Sequence, residues 1–63
     1  MKFIILDRPK DGKIYLQTNR ILGLELQSDG TTWIHVGDRY GYGFTVLETP
    51  EQIIELINQQ EQS

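Results

Sequence analysis

The sequence contains no cysteine and a single histidine, His35. A chain without cysteine forms no disulfide, and one histidine cannot supply the roughly four nitrogen or sulfur ligands of a structural zinc site. A chain of 63 residues buries only about 60% of its unfolded surface, and domains of this size usually depend on a disulfide, a metal or a partner subunit. We therefore expect no metal, no cofactor and a homo-oligomer.

The sequence also lacks long apolar runs and an excess of positive charge. The N-terminal run Phe3–Leu6 is too short for a signal peptide or a membrane span, so we expect a cytoplasmic protein without membrane insertion. Nine acidic residues against six basic ones give a net charge of −3, which opposes binding to a phosphate backbone. Nucleic acid is therefore a less favoured partner than another protein.

Five segments show apolar–polar alternation or are rich in β-branched and aromatic residues, which predicts β-strands. They are Phe3–Leu6, Lys13–Gln17, Arg20–Leu26, Thr31–Val36 and Tyr40–Leu47. Turn residues such as Asp11–Gly12 separate them. Phe3–Leu6 is apolar throughout, which predicts a strand covered on both faces. Arg20–Leu26 also allows a helix, but Gly23 in its middle favours a strand with a bend or bulge.

The C-terminal segment predicts an amphipathic helix. Thr49 is the expected N-cap, Pro50 the first helical residue, and Gln52 the second member of a capping box. The apolar stripe that packs on the sheet is Ile53, Leu56 and Ile57, and the polar residues 58–63 are expected to fray. The chain is therefore predicted to be one domain, residues 1–63. The predicted fold is mostly β (β+α): a five-stranded antiparallel curled sheet or small barrel with one C-terminal helix.

The register of the last two strands decides which ring-bearing side chains share a face. Gly37–Asp38 fits a two-residue hairpin loop, which would pair Trp33 with Tyr42. One face would then carry the rings of Trp33, His35, Tyr40, Tyr42 and Phe44. A three-residue loop would reverse the faces and place Ile34 with the tyrosines. The two-residue loop is the favoured interpretation.

This aromatic face supports two functional hypotheses. The first is a core or subunit interface, where aromatic residues are enriched, in a non-enzymatic homo-oligomeric interaction or adaptor module. The second is a platform on which a small ligand, a nucleotide or a nucleic acid stacks, with phosphate contacts from Lys10, Lys13 and Arg39. A phage-encoded protein would fit this second hypothesis. No nucleophile motif accompanies His35, so we expect a strand histidine that is hydrogen-bonded at an interface, and no catalytic residue.

Turn glycines and strand residues along nearly the whole chain follow a pattern found in one group of small bacterial proteins. They are Gly12–Lys13 before Tyr15–Leu16, Asn19 and Ile21 before Leu24–Glu25, Gly30–Thr32 before Ile34, Gly37, and Val46–Ile53. This pattern resembles the small flagellar and swarming-motility protein family and is similar to uncharacterised phage and prophage chains. Pro9–Lys10 and Tyr40–Phe44 depart from it. The resemblance implies the same fold, recruitment to a protein assembly and no catalytic residues.

Overall fold

The computed structural model describes residues 2–37 and 41–62. The elements, in chain order, are strands β1 (Phe3–Arg8) and β2 (Gly12–Gln17), a short 3₁₀ helix (Thr18–Arg20), strands β3 (Ile21–Leu26), β4 (Thr32–Val36) and β5 (Gly43–Val46), and helix α1 (Pro50–Gln62). The prediction of a mostly β chain with a C-terminal helix is confirmed. In the described part of the chain, no helix is long and apolar enough to cross a membrane.

The strands of the described residues lie in two antiparallel sheets. β1 pairs with β2 over six consecutive residue pairs, and β4 lies between β3 and β5 in the second sheet. The predicted closed barrel is therefore wrong, and the predicted single five-stranded sheet is not confirmed. The pairing of β3 with β4 shifts between Ile21 and Gly23, which confirms the strand with a bend or bulge at Gly23.

The two sheets meet where β1 contacts the residues that follow β5. The Leu47 amide donates a hydrogen bond to the Asp7 carbonyl oxygen (2.8 Å), and the Asp7 amide donates to the Glu48 carboxylate (3.0 and 3.1 Å). The Glu48 carbonyl oxygen accepts a hydrogen bond (2.7 Å) from the hydroxyl of Thr32, which is fully buried in β4. These four residues form what we call the junction. The Glu48 carboxylate accepts the Asp7 amide hydrogen bond that a neighbouring strand would otherwise accept. The two sheets are therefore in contact without a continuous series of strand-to-strand hydrogen bonds.

The core lies between the two sheets and the helix. Its buried apolar side chains are Ile4, Leu6, Leu16, Ile34, Val46 and Ile53. Leu56 and Ile57 pack against them and are partly buried, whereas Ile54 is half exposed. The predicted apolar stripe of the helix is therefore confirmed.

The start of α1 has the predicted capping box. The Gln52 amide donates to Thr49 Oγ1 (3.1 Å), and the Thr49 amide donates to Gln52 Oε1 (2.9 Å). The helix continues through residues 58–62, where the polar sequence predicts a frayed tail. The Lys2 ammonium donates to the carbonyl oxygen of Gln60, and this contact ties the last helical turn to the start of β1.

Gly43 lies in β5 against the backbone of β4. A Cβ atom on Gly43 would overlap the backbone oxygen of Ile34 and lie 3.1 Å from Cε2 of Trp33. Because the overlapped atom belongs to a buried strand, we expect Gly43→Ala to lower the free energy of unfolding by about 3 kcal/mol. Urea unfolding followed by Trp33 fluorescence measures the change, with Thr45→Ala in the same strand as the control. A loss below about 0.5 kcal/mol would be typical of an uncrowded surface site and would contradict this packing.

Candidate interaction surface

The structure pairs β4 with β5 in a different register from the one that the two-residue loop predicts. Trp33 lies opposite Thr45, and Ile34 lies opposite Phe44. The partner of Trp33 is thus Thr45 and not the predicted Tyr42, a register shift of three residues. A shift by an odd number of residues moves the side chains of a strand to the other face of the sheet. Trp33 and Phe44 therefore lie on opposite faces. The predicted common aromatic face is wrong.

Gly37 gives the physical reason for this difference. Its amide donates a hydrogen bond to the Arg20 carbonyl oxygen (3.1 Å), so Gly37 extends the pairing of β4 with β3 and does not start a two-residue loop. The Val36 amide donates to the Tyr42 carbonyl oxygen (3.0 Å), so the connection between β4 and β5 begins at Gly37, which has a positive φ, and is longer than two residues. The remaining predicted loop and site residues, Asp38, Arg39 and Tyr40, lie outside the described residues.

Trp33 and His35 lie on the face of the three-stranded sheet that points away from the core. His35 Nε2 is 3.2 Å from Glu25 Oε1, and the Trp33 and His35 rings meet edge to face with centroids 6.3 Å apart. On the same face, the Thr45 hydroxyl donates to Gln27 Oε1 (3.2 Å). His35 thus has the hydrogen-bonded strand position that the sequence predicts, within a network of neighbouring side chains.

The basic residues of the first hairpin make separate contacts. Lys13 Nζ lies 2.8 Å from Asp7 Oδ1 in an exposed ion pair. The Arg8 guanidinium donates to two carbonyl oxygens of its own turn (2.9 and 3.3 Å). Lys10 lines a shallow pocket of about 330 Å³ together with Phe44. The structure therefore brings two predicted site residues, Lys10 and Phe44, to one pocket.

An exposed apolar surface on the first hairpin was not predicted. Phe3, Ile5 and Tyr15 lie on the side of β1 and β2 that faces away from the core, with exposed fractions of 45%, 47% and 66%. Ile5 lies directly opposite Tyr15 across the two strands. We call these three residues the hairpin face. The apolar run Phe3–Leu6 predicts a strand covered on both faces, and that prediction is wrong for the single chain, which covers one face.

A second surface is an open groove of about 640 Å³ beside the start of α1. Its lining residues are Leu47, Glu48, Glu51, Gln52, Glu55 and Leu56. Carboxylates border its apolar part, and the Glu48 carboxylate already accepts the Asp7 amide. Within residues 2–37 and 41–62, no cluster of three or more histidine, aspartate or glutamate side chains is arranged to hold a metal ion.

No protein-family model matches the chain, and no curated protein or solved structure matches it either. The function therefore has to be inferred from the contacts and exposed surfaces of the chain itself. Of these surfaces, the hairpin face carries three exposed apolar side chains on two paired strands, and we take it as the candidate interaction surface.

The ion pair between Lys13 and Asp7 leads to a prediction about pH. The hydrogen bond from Lys13, followed by that with Glu48, lowers the pKa of Asp7 below its ordinary value of 3.8. A carboxyl group whose pKa is lowered by folding stabilises the folded state at pH values above its unfolded-state pKa. This contribution is lost as the pH falls through the folded-state pKa. We expect Lys13→Met to raise the Asp7 pKa towards 3.8, measured by NMR titration of its carboxyl carbon.

The same titration contains an internal reference. Hydrogen bonds from Thr31 lower the pKa of Asp29, and Lys13→Met should leave that pKa unchanged. Lys10→Met is the matched control, because Lys10 lies beside Phe44 and not against Asp7. An Asp7 pKa that does not respond to Lys13→Met would show that the ion pair is not formed in solution.

Proposed function

We propose that this chain is a non-enzymatic, homo-oligomeric interaction module that associates with copies of itself through the β1–β2 hairpin. The observation that carries the proposal is the hairpin face, where Phe3, Ile5 and Tyr15 share one exposed side of two strands. Removing such side chains from water contributes about 25 cal/mol per Å² of apolar surface. Contiguous exposed apolar patches on small proteins mark interaction sites.

The size of the core supports the same proposal. Its buried apolar side chains are few, and a domain of this length gains stability when a partner covers further apolar surface. A second copy of the chain can act as this partner, and its concentration always equals that of the chain itself. A cytoplasmic location and recruitment to a protein assembly, as the resemblance to the motility family implies, complete the proposal.

A charge in the hairpin face tests the proposed self-association. We expect the wild-type chain to form dimers or larger oligomers at high protein concentration and Tyr15→Glu to be monomeric, because a carboxylate is costly to bury without a partner. Size-exclusion chromatography with light scattering gives the mass. Tyr42→Glu is the matched control, because Tyr42 is similarly exposed (57% against 66%) and lies outside the hairpin.

Two results would overturn the proposal. One is a wild-type chain that stays monomeric at every concentration tested. The other is equal dissociation by Tyr15→Glu and Tyr42→Glu, which would show that the hairpin has no special part in the association.

The pocket at the hairpin turn favours a second candidate function, the binding of a small anionic ligand such as a nucleotide. Its lining residues are Arg8, Pro9, Lys10, Asp11, Phe44 and Thr45. Lys10 can pair with a phosphate group, and the Phe44 ring offers an apolar surface to a base. The volume of about 330 Å³ lies at the lower end of the range for small-ligand sites, about 300–1,000 Å³.

A titration with ATP at low salt, followed by NMR amide shifts, tests this candidate. We expect shifts near Lys10 and Phe44, and we expect Lys10→Glu to abolish them because the substitution reverses the charge at the phosphate position. Trp33→Phe should leave the shifts unchanged, since Trp33 lies on the opposite face of the sheet from Phe44. Absence of ATP-induced shifts in the wild-type chain would exclude this candidate.

A further inference from the structure

The hydrogen-bond pattern of the hairpin leaves one edge of β2 open. The Thr18 amide donates to the Lys2 carbonyl oxygen (2.9 Å), and hydrogen-bonded pairs alternate with non-hydrogen-bonded pairs along an antiparallel ladder. The even-numbered residues of β2 therefore direct their amide and carbonyl groups towards β1. Those of the odd-numbered residues Lys13, Tyr15 and Gln17 point away from β1, to the outer edge of β2.

The same alternation can be checked on β1. Asp7 lies opposite Lys13, so its amide and carbonyl groups should point away from β2. Both do, because they bond to Glu48 and Leu47 at the junction. The outer edge of β1 thus has a partner within the chain at Asp7. In residues 2–37 and 41–62, no backbone hydrogen bond outside the helices and strands reaches Lys13 or Tyr15, whereas the Gln17 carbonyl oxygen caps the 3₁₀ helix that begins at Thr18.

This edge lacks two of the features with which proteins prevent strand addition, namely bulges and prolines. β2 keeps a regular register over six residue pairs and contains no proline. Its one charged side chain, Lys13, is held by Asp7. The outer edge of β3 differs, because its register shifts between Ile21 and Gly23. β2 is therefore the better template for an added strand.

We propose that two copies of the chain join through the outer edges of their β2 strands, antiparallel, about a two-fold axis at Tyr15. This inference rests on the proposed self-association and states its geometry. Tyr15 then lies opposite Tyr15 of the second copy, and Lys13 lies opposite Gln17 of the second copy. Each outward residue carries one donor and one acceptor, and the Gln17 carbonyl oxygen, which caps the 3₁₀ helix, has a second lone pair, so the pairing forms about six hydrogen bonds.

The charged side chains along β2 are compatible with this pairing. Lys13 meets the uncharged Gln17 of the other copy and not a second lysine. The two Lys13 side chains lie about 14 Å apart along the strand direction, which exceeds the Debye length of about 10 Å at 0.1 M salt. Tyr15 faces its own copy, and aromatic pairs across two strands are favourable. No like charges are therefore brought together at the new edge.

The interface area expected for this pairing is also compatible with a second copy of the chain. About six hydrogen bonds correspond to an interface of roughly 600–1,200 Å². Each copy would then cover about 300–600 Å² of its 4414 Å² surface. Interfaces of this size are typical of weak, reversible complexes, so the dimer should dissociate on dilution. In the dimer, the hairpin faces of both copies lie side by side on one four-stranded sheet.

Hydrogen exchange of the wild-type chain tests the pairing without any substitution. The amides of Gly12, Ile14 and Leu16 bond to β1 and should be protected at every protein concentration. The amides of Lys13, Tyr15 and Gln17 should exchange at least about tenfold more slowly at concentrations where the mass is that of a dimer. Odd-numbered amides whose exchange rates do not change with concentration in a proven dimer would overturn the inference.

Gln17→Pro tests the same pairing by removing one outward amide. Gln17 has φ −71° and ψ 128°, a conformation that proline adopts without strain, and proline is tolerated in an edge strand whose amide faces outward. We expect Gln17→Pro to be a folded monomer by circular dichroism and light scattering. Gln17→Ala keeps the amide and should keep the dimer.

Ile5→Glu separates edge pairing from face-to-face packing of the hairpins. Ile5 lies on β1, so edge pairing predicts that Ile5→Glu stays dimeric, whereas face packing predicts that it dissociates. A dimeric Gln17→Pro together with a monomeric Ile5→Glu would overturn the edge inference and leave the proposed self-association standing. A monomeric wild-type chain would overturn both. Should Gln17→Pro fail to fold, hydrogen exchange of the wild-type chain decides the question.

Discussion

Glu48 joins all parts of this small structure at one point. Its carboxylate accepts the Asp7 amide of β1, and its carbonyl oxygen accepts the buried Thr32 hydroxyl of β4. A buried hydroxyl without a partner costs about 1–3 kcal/mol, so the position of Thr32 depends on the path of the chain at Glu48. The next residue, Thr49, caps α1. A few consecutive residues therefore fix the hairpin, the three-stranded sheet and the start of the helix relative to one another.

The junction also determines which surfaces of the hairpin stay open. Because Asp7 bonds to the segment after β5, the outer edge of β1 has a partner at this point, and β2 keeps the regular free edge. The core side of the hairpin packs Ile4 and Leu6 against the rest of the chain, which leaves Phe3 and Ile5 outward. An open strand edge and an apolar face thus occur together on one element, as a consequence of how that element is attached.

The parts of the fold that depend on neighbours within a few residues were predictable from the sequence. The capping box of Thr49 and Gln52 and the helix stripe at Ile53 follow from local chemistry and helical spacing. Gly23 marked the irregularity of β3. The predicted meeting of Trp33 with Tyr42 failed because strand register depends on loop length, and any odd change reverses every side chain. Gly37 gave a turn signal, but its amide bonds to Arg20, which is distant in the sequence.

The first strand has an apolar pattern on both faces, of which the single chain covers only one. Four consecutive apolar residues, Phe3–Leu6, are typical of a strand that is covered on both faces. The single chain buries Ile4 and Leu6 and leaves Phe3 and Ile5 nearly half exposed. Pairing at the edge of β2, as proposed, would bring Tyr15 against its own counterpart and place the two hairpin faces side by side, but it would leave Phe3 and Ile5 uncovered. The apolar run of β1 therefore bears on the hairpin face and not on the edge of β2.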